Sequence, residues 1–529
     1  MSPIIAGLRI APAYTAPQPT PASTANTRTE QVAATPSTTV SLGQSPRGDD
    51  AGTYSSRGAV AVPMRYVLEH DSLNKLSMNL LGGVQSSAIG SRLHGLGAAV
   101  LNQLVANGGQ SFTQSVFAFA DGAQPSAEVL KLQGDNLRQH PANGVSLSLT
   151  TASGATVTLS LASNEQGLAV SAEVQGGQLS SDELEGLAAL SDSFQATING
   201  LSAQPPRLQL GKLATLDPAL FRSLQMNARL ETPSGEPLSF DLSLNDSART
   251  LSLQGPDGNV KLNLDTRDTS LLGTSTQRQA AISHYLKQFD AAQSRGNGDE
   301  GLVSLFKDAF VQLNSADDAG KPSSGRIPLL AAKDTALLSG LADFSASISQ
   351  SVQQINPMRP TETDHFDYQV SQSTTVRGTA QLGRTVQQDQ QARLTAAYHA
   401  DFNPQVGLSL EPASQNYRYH EINDQSSSST RLVYDKSRLV EASVTQQASR
   451  NERVRTYANG QVENDVNTPT SATESRNLVG LLNDLFERER IAQRERGVSI
   501  LEAQLQSLRS QWQLQADPTD IQRLTPATR

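Results

Sequence analysis

Residues 145–161 read VSLSLTTASGATVTLSL, and residues 226–242 read MNARLETPSGEPLSFDL. In both stretches apolar residues alternate with polar ones on either side of a Ser-Gly pair, which predicts two antiparallel strands joined by a turn. A shift of 81 residues aligns the stretches without a gap and places Gly154 on Gly235. The shared turn position predicts two copies of one β unit, although abundant Ser, Leu and Thr could produce part of the match.

Each hairpin is followed by more alternating sequence, at 168–174 and at 251–264, so each predicted unit is an antiparallel meander. Between the units, Ser180 is followed three residues later by Glu183, the capping-box pattern that begins a helix. We therefore predict an α+β fold in which a duplicated β-meander domain, residues 141–270, is crossed by a helix.

Helices are predicted on both sides of this domain. Apolar residues at spacings of three and four predict helical segments at 61–140 and 271–355, and a helix over 88–106 in the first of them. Gly90, Gly95 and Gly97 weaken that helix, because glycine is unfavourable in a helix interior. The last predicted helical stripe of the second segment consists of Leu337, Leu338, Leu341 and Phe344.

The segment 356–470 is rich in Gln, Ser and Thr and alternates over long stretches. It predicts long, solvated antiparallel strands with a thin apolar face, and Asn459-Gly460 predicts a type I′ turn. Disorder of 371–397 and 424–430 is the alternative. Residues 471–529 are predicted to form C-terminal helices and a tail, either packed on the body or as a short partner-binding coiled coil.

Residues 1–60 are dominated by Pro, Thr, Ala and Ser and show no apolar period. This composition predicts a disordered tail. The tail contains Arg47-Gly48-Asp49, the adhesive tripeptide of cell-surface ligands, which we interpret as a coincidence in a long polar chain.

Composition restricts the function. The chain has 529 residues, of which 37% are hydrophobic and 5% aromatic, so part of it is expected to bury little. Its 42 basic and 51 acidic residues give a net charge of −9, which argues against nucleic-acid or anionic-membrane binding. It has no cysteine, which excludes disulfides, thiolate zinc sites and a thiol nucleophile.

The sequence also bears on location. No stretch of about 18 apolar residues occurs, so we expect a soluble protein without a transmembrane helix. The first residues lack the pattern of a secretory signal. We therefore expect a cytoplasmic protein by default, with export that needs no such signal as the alternative.

No phosphate loop, dinucleotide fingerprint, nucleophile elbow, zincin helix or calcium loop matches the sequence. The remaining candidates are His365, Asp367, His399, Asp401 and His420. Imidazole and carboxylate groups on neighbouring strands bind zinc or another divalent metal, or act as an acid/base pair. However, polar-faced strands carry such residues for solubility, and this spacing is not specific. We expect no catalytic, cofactor or metal site, and we expect the three histidines to be exposed and apart.

The meander followed by LSSDELEGLAAL at residues 179–190 resembles a pattern in large uncharacterised bacterial proteins. The resemblance covers about residues 145–200 and implies no activity. The cysteine-free start, rich in Ala, Pro, Thr and Gln, resembles in composition the substrates of flagellar or type III export.

These observations favour a non-enzymatic bacterial protein that serves as an interaction or structural scaffold protein. Its expected partner is a protein and not a nucleic acid, because long solvated strands suit contact with a partner better than they suit a dry active site. One alternative is an exported, flagellum-associated or effector-like protein. The other is a metal-dependent enzyme that uses the His365/His399/His420 region.

Overall fold

The computed structural model describes residues 64–523, apart from residues 73, 316–334, 336, 380–382, 437 and 507. The predicted tail at 1–60, with its Arg47-Gly48-Asp49 tripeptide, lies outside the described residues.

A large antiparallel sheet dominates the mixed α/β fold. Its first nine strands are β1 (Met64–Leu68), β2 (Phe112–Ala120), β3 (Asn143–Thr151), β4 (Thr156–Ser163), β5 (Gly167–Gln175), β6 (Phe221–Glu231), β7 (Pro237–Leu244), β8 (Ala248–Gly255) and β9 (Gly258–Asp265). The others are β10 (Asp343–Gln350), β11 (His365–Thr379), β12 (Gly383–Ala400), β13 (Ser409–Glu411), β14 (Ser414–Asp435), β15 (Arg438–Ala458) and β16 (Gln461–Asn477). Their order is β1-β2-β5-β4-β3-β6-β7-β8-β9-β10-β11-β12-β14-β15-β16, and β13 pairs with β14.

The helices are α1 (Lys75–Val84), α2 (Ile89–Arg92), α3 (Leu96–Ala106), α4 (Ala127–Gln139), α5 (Ser181–Leu201), α6 (Ser275–Gly296), α7 (Glu300–Asn314), α8 (Val479–Arg496), α9 (Leu501–Gln506) and α10 (Pro518–Arg523). Helices α1, α3, α5, α6 and α7 share one continuous apolar core with the strands. We call the side of the sheet that faces this core the helix face. Within the described residues, no helix is both long and apolar enough to cross a membrane.

The alternation seen in the sequence explains how the sheet forms its core. In β3, Val145, Leu147 and Leu149 are buried on the helix face, whereas Ser146 and Ser148 point to the other side. Complete burial of one such leucine contributes about 1.5–3 kcal/mol, so a strand with one apolar face is held firmly against the helices.

Helix α5 begins with the predicted capping box, in which the Ser180 side chain and Glu183 each bond to the other's backbone. It packs on α3 at Gly97, where an added Cβ would lie 2.7 Å from Ile198 Cδ1. Gly97 therefore permits the close contact between α3 and α5. Gly95, at φ 72°, divides the helix predicted over 88–106 into α2 and α3.

The two hairpins quoted above have the same register under the 81-residue shift. Leu149 pairs with Val157 in the first, and Leu230 pairs with Leu238 in the second. Strand β4 lies between β3 and β5 just as β7 lies between β6 and β8. The meanders differ after the third strand, because the first continues into α5 and the second into β9. Descent of the two from one duplicated unit remains a prediction.

The two hairpin turns allow a matched stability test. Gly154 and Gly235 have φ values of 100° and 82°, and each would place a new Cβ in open space. Gly154→Ala and Gly235→Ala are therefore each expected to lower the free energy of unfolding by about 1–2 kcal/mol through backbone strain alone. Gly82→Ala, in α1 and also in open space, should instead raise it by about 0.5–1 kcal/mol. Urea unfolding checks all three, and clearly unequal losses at the two turns would contradict their equivalence.

The prediction of a helical segment at 61–140 is wrong in part. Helices α1 to α4 lie there, but so do β1 and β2. The sequence of strand β2 does not alternate between apolar and polar residues, because the strand is covered on both faces. Val116 packs in the main core, and Phe117 packs under α4 on the opposite side.

The third helical stripe predicted within 271–355 is also wrong. The helices α6 and α7 form as expected, but Phe344 belongs to β10, in which Phe344, Ala346 and Ile348 are buried in alternation. Leu337 and Leu338 lie in a second core, formed with α8 and α9. A short run of leucines fits the helix spacing and a turn before a strand equally well.

The predicted long strands of 356–470 are present, and the alternative of disorder at 371–397 and 424–430 is wrong for the described residues. Asn459 and Gly460 have φ values of 48° and 77°, as a type I′ turn requires. Buried polar side chains on the helix face stabilise these strands. Gln390 accepts from Leu514 N at 2.8 Å, and Ser428 donates to Trp512 O at 2.8 Å. The polar strands therefore bind the main chain of an irregular C-terminal segment.

Candidate functional site

The face of the sheet opposite the main core carries two rows of polar side chains that stay in register from β5 to β16. The first row consists of Ser171, Ser160, Ser146, Asn227, Asp241, Ser252, Lys261, Ser347, Gln369, Arg393, Gln425, Ser449 and Ser471. The second consists of Glu173, Thr158, Ser148, Gln225, Ser243, Thr250, Asn263, Ser345, Ser371, Gln391, Ser427, Gln447 and Thr473. Neither row contains an apolar residue.

From β6 to β16 the two rows line one open cavity of about 1110 Å³, which we call the polar groove. Its floor is the backbone of the residues between the rows, such as Leu242 and Ala346, which are buried on the helix face. The groove crosses ten strands, so at a strand spacing of about 4.8 Å it is about 43 Å long. Residues i and i+2 of a strand are about 6.8 Å apart, which sets the distance between the rows.

The groove is polar but nearly uncharged. Asp241, Lys261 and Arg393 are the charged members of the rows along it, and the others are Ser, Thr, Asn and Gln. The many short Ser, Thr and Asn side chains leave the groove open, whereas α4 covers the same face at β2, β4 and β5 through Leu130 and Leu137. The open part of this face therefore presents hydroxyl and amide groups.

Residues 351–364, which we call the cap loop, fold over the same face where β12, β14 and β15 meet. Glu362 of the cap loop is 3% exposed and accepts hydrogen bonds from Tyr417 at 2.7 Å and Tyr457 at 2.6 Å. Tyr417 and Tyr457 are register partners, and by alternation along β14 and β15 they share the face of the first row. The cap loop is thus anchored at one side of the polar groove.

His399 joins the cap loop to β12. Its Nδ1 lies 2.6 Å from Asp364 Oδ1, and its Nε2 lies 3.6 Å from Glu362 Oε2, an ion-pair distance rather than a hydrogen bond. Burial alone would lower the pKa of His399, but the carboxylates of Asp364 and Glu362 outweigh burial and raise it. The imidazolium form is therefore favoured between two acidic groups.

Glu362 shows the complementary shift. Burial alone would raise its pKa, but contacts with His399, Tyr457 and Tyr417, together with the charge of Arg455, lower the pKa to about 2. Because the His399 side chain has no exposed surface, this cluster does not present a reactive group to the groove. Its arrangement suits a structural role, which is to hold the cap loop on the strands.

The cluster predicts how attachment of the cap loop depends on pH. Glu362, whose pKa falls from 4.5 to about 2, contributes stability above pH 4.5 that is lost as the pH falls toward 2. His399, whose pKa is raised above 6.5, contributes stability below pH 6.5 that is lost as the pH rises through its raised pKa. Cap-loop amide hydrogen exchange, corrected for intrinsic rates, should be slowest between about pH 4.5 and 6.5.

Glu362→Gln supplies the control for this pH dependence. It removes the acid-side titration, so the variant should not lose further protection of the cap loop between pH 4.5 and 2 relative to its own value at pH 5.5. If the wild type and the variant lost the same protection over that interval, another acidic group would control the loop.

His420 lies on the helix face and not in the groove. The register pairs His399 with Tyr419 and Tyr398 with His420, so the two histidines point to opposite sides of the sheet. His420 stacks on Tyr398 with ring centroids 4.7 Å apart, and its Nδ1 lies 2.9 Å from Glu452. These two histidines therefore cannot ligate one metal ion.

Arg295 of α6 completes the surroundings of His420. It pairs with Asp424 through two nitrogens and with Glu452 Oε2 at 3.1 Å. Burial alone would raise the pKa of Glu452, but His420 and Arg295 outweigh it and lower the pKa. This ionic cluster attaches α6 to β14 and β15.

The other candidates also bind local groups. His365 Nδ1 lies 3.2 Å from Thr363 O, Asp367 accepts from Ser349 at 2.5 Å, and Asp401 accepts from Leu408 N at 2.9 Å. Among the described residues, no group of three or more His, Asp or Glu side chains is placed to hold a metal ion. The expectation that the three histidines are exposed is wrong. The His399 side chain is buried because the cap loop covers it, the His420 side chain is 12% exposed, and His365 is partly buried.

Sequence reasoning missed both the groove and the residues that anchor the cap loop. The signal for the groove was present, since short polar residues occupy every second position of strand after strand. No local pattern marks Glu362 or Asp364, because their partners are distant in sequence and come together only through strand register.

No family model matches the chain, and comparison with curated proteins and with solved structures finds no match either.

Proposed function

We propose that the chain is a non-enzymatic binding protein whose polar groove receives its partner. The observation that carries this proposal is the pair of polar rows that line the groove without interruption across ten strands. Three of the twenty row residues along the groove are charged.

The side-chain types support binding on energetic grounds. Twelve of the twenty row residues along the groove are Ser, Thr or Asn. These side chains lose less rotamer freedom on contact than Gln, Lys, Glu or Arg, so ordering them against a partner costs less free energy. Their hydroxyl and amide groups can also exchange bonds to water for bonds to a ligand. A long, regular array of such groups suits an extended partner that makes many weak contacts.

We do not propose the metal-dependent enzyme, because its candidate histidines lie on two faces of the sheet. We do propose that the meanders β3–β5 and β6–β8 are copies of one unit. Their common register supports this, and repetition of a strand with one polar face would extend the groove rows without disturbing the core.

The absence of cysteine allows a direct test of the proposed function. Ser347→Cys places a single thiol at the middle of the groove, and Ser283→Cys places one on the exposed side of α6. Each variant is labelled with benzophenone maleimide and irradiated in an extract of cells that produce the protein. We expect an adduct from position 347, whether the partner is a protein or another polymer, and none from position 283. Equal labelling from the two positions would contradict the proposal.

A further inference from the structure

We infer that the partner of the polar groove is a neutral carbohydrate chain that lies across the strands. This inference rests on the proposed function and names the chemical class of the ligand.

The shape of the groove favours a linear polymer. It is about 43 Å long and its side-chain rows are about 6.8 Å apart, so it is much longer than it is wide. A compact small molecule would occupy a small part of such a surface, and small-molecule sites instead enclose most of the ligand. An extended chain can contact both rows along the whole length.

The hydrogen-bonding groups fit a polyhydroxylated ligand. Ser and Thr hydroxyls donate and accept, and Asn and Gln amides offer both a donor and an acceptor. The hydroxyls of a sugar chain have the same dual character at high density, so each ring can satisfy several groups of either row. Exposed Gln369 and Gln425 lie on either side of Arg393 in the first row and, with Gln391 of the second row, are long neutral side chains near the centre of the groove.

Charge argues for a neutral chain. The negative charge of Asp241 offsets one of the positive charges of Lys261 and Arg393, so the rows along the groove carry a net charge of about one positive unit. Nucleic acids and acidic polysaccharides are bound through many Lys and Arg contacts, which these rows lack. Lipid is disfavoured by the same rows, because none of their members is apolar.

A polypeptide partner fits the surface less well. Proteins bind extended peptides by adding a strand to an open edge, in apolar or aromatic grooves, or through Arg clusters. The groove rows contain no apolar residue, no aromatic residue and no Arg cluster. The sheet edge at β16 contains Pro469, which has no N–H to offer, within an exposed stretch, 461–470, that is polar apart from Val462, Val466 and this proline. We therefore assign the groove to carbohydrate, with a polypeptide as the competing result.

A glycan array and titration calorimetry test this inference with the full chain. The array carries neutral oligosaccharides and polysaccharides, including dextran, laminarin and cello-oligosaccharides, beside heparin and peptides. We expect binding to at least one neutral glycan, with affinity that rises with chain length until the groove is filled. Gln369→Ala/Gln425→Ala should weaken that binding about tenfold. Ser283→Ala, on α6, should leave it unchanged, and unfolding midpoints confirm that both variants fold.

The outcomes separate the inference from the proposed function. Binding to heparin or to peptides without binding to any neutral glycan would overturn the assignment to carbohydrate. If position 347 still gave a discrete protein adduct, the groove would remain a binding surface for a polypeptide. If neither a glycan nor an adduct were found, both proposals would be wrong. Neutral-glycan binding that the double variant did not weaken would also overturn the inference.

Discussion

Replacement of Glu362 by alanine is expected to lower the free energy of unfolding by about 3–5 kcal/mol, because removal of one partner from a buried ionic cluster leaves the others uncompensated. The variant deprives Tyr417 and Tyr457 of their common acceptor and leaves His399 with one carboxylate in place of two. Urea unfolding measures the loss, and hydrogen exchange should show that residues 351–364 lose protection first.

Two control variants separate burial from charge. Glu463→Ala removes an exposed carboxylate from β16 and should change the free energy of unfolding by less than about 0.5 kcal/mol. Glu362→Gln keeps an acceptor for one tyrosine, so its free energy of unfolding should lie between those of the wild type and Glu362→Ala. A loss at Glu362→Ala no larger than at Glu463→Ala would show that the cap loop is not held by this cluster.

Replacement of Arg295 by alanine should lower the free energy of unfolding by about 3 kcal/mol. Arg295 is the cation that compensates Asp424, whose side chain is 11% exposed, and it also reaches Glu452. Without it, Asp424 and Glu452 face α6, and their remaining contacts are Arg450 for Asp424 and His420 for Glu452. Calorimetric or urea unfolding measures the loss of stability. Its structural cause should be a weaker attachment of α6 to β14.

The chain contains a matched exposed pair as the control. Arg267 binds Asp265 with two nitrogens, as Arg295 binds Asp424, but its side chain is 74% exposed. Arg267→Ala should therefore cost less than about 1 kcal/mol, the usual contribution of a surface pair. Equal losses from the two substitutions would contradict the view that burial gives the Arg295 cluster its importance.

The parts of the fold that could be predicted from the sequence are those in which an apolar period or a cap or turn motif is typical of one kind of local structure. The β3–β4 and β6–β7 hairpins, the capping box of α5 and the turn at Asn459 all follow from local chemistry. Strand β2 did not, because burial on both faces removes the alternation on which the prediction depends.

The candidate site depended on information that no local window contains. Whether His399 lies beside His420 or on the other face is decided by the β12–β14 register, and a shift of one residue would exchange the faces. The polar residues of 371–397 looked too hydrophilic for a packed strand. Gln388 and Gln390 are nevertheless buried there, because they bind the main chain at Ser339 and Leu514.

Maleimide reactivity of single cysteines tests the central claim most directly, namely that one face of the sheet is an open polar groove. Adjacent residues should alternate between the open groove and the buried helix face. The informative pairs are Ser347 and Ala346 in β10, Arg393 and Ala392 in β12, and Ser449 and Ala448 in β15. Each residue is replaced singly by cysteine in the cysteine-free chain, and its labelling rate is measured under native conditions and in denaturant.

Cysteines at 347, 393 and 449 are expected to react rapidly in the native protein, whereas those at 346, 392 and 448 should react rapidly only after unfolding. Equal native rates within the pairs, or faster reaction at the alanine positions, would show that the groove face is covered or that the strands lie in another register, and that this face is not an open polar groove.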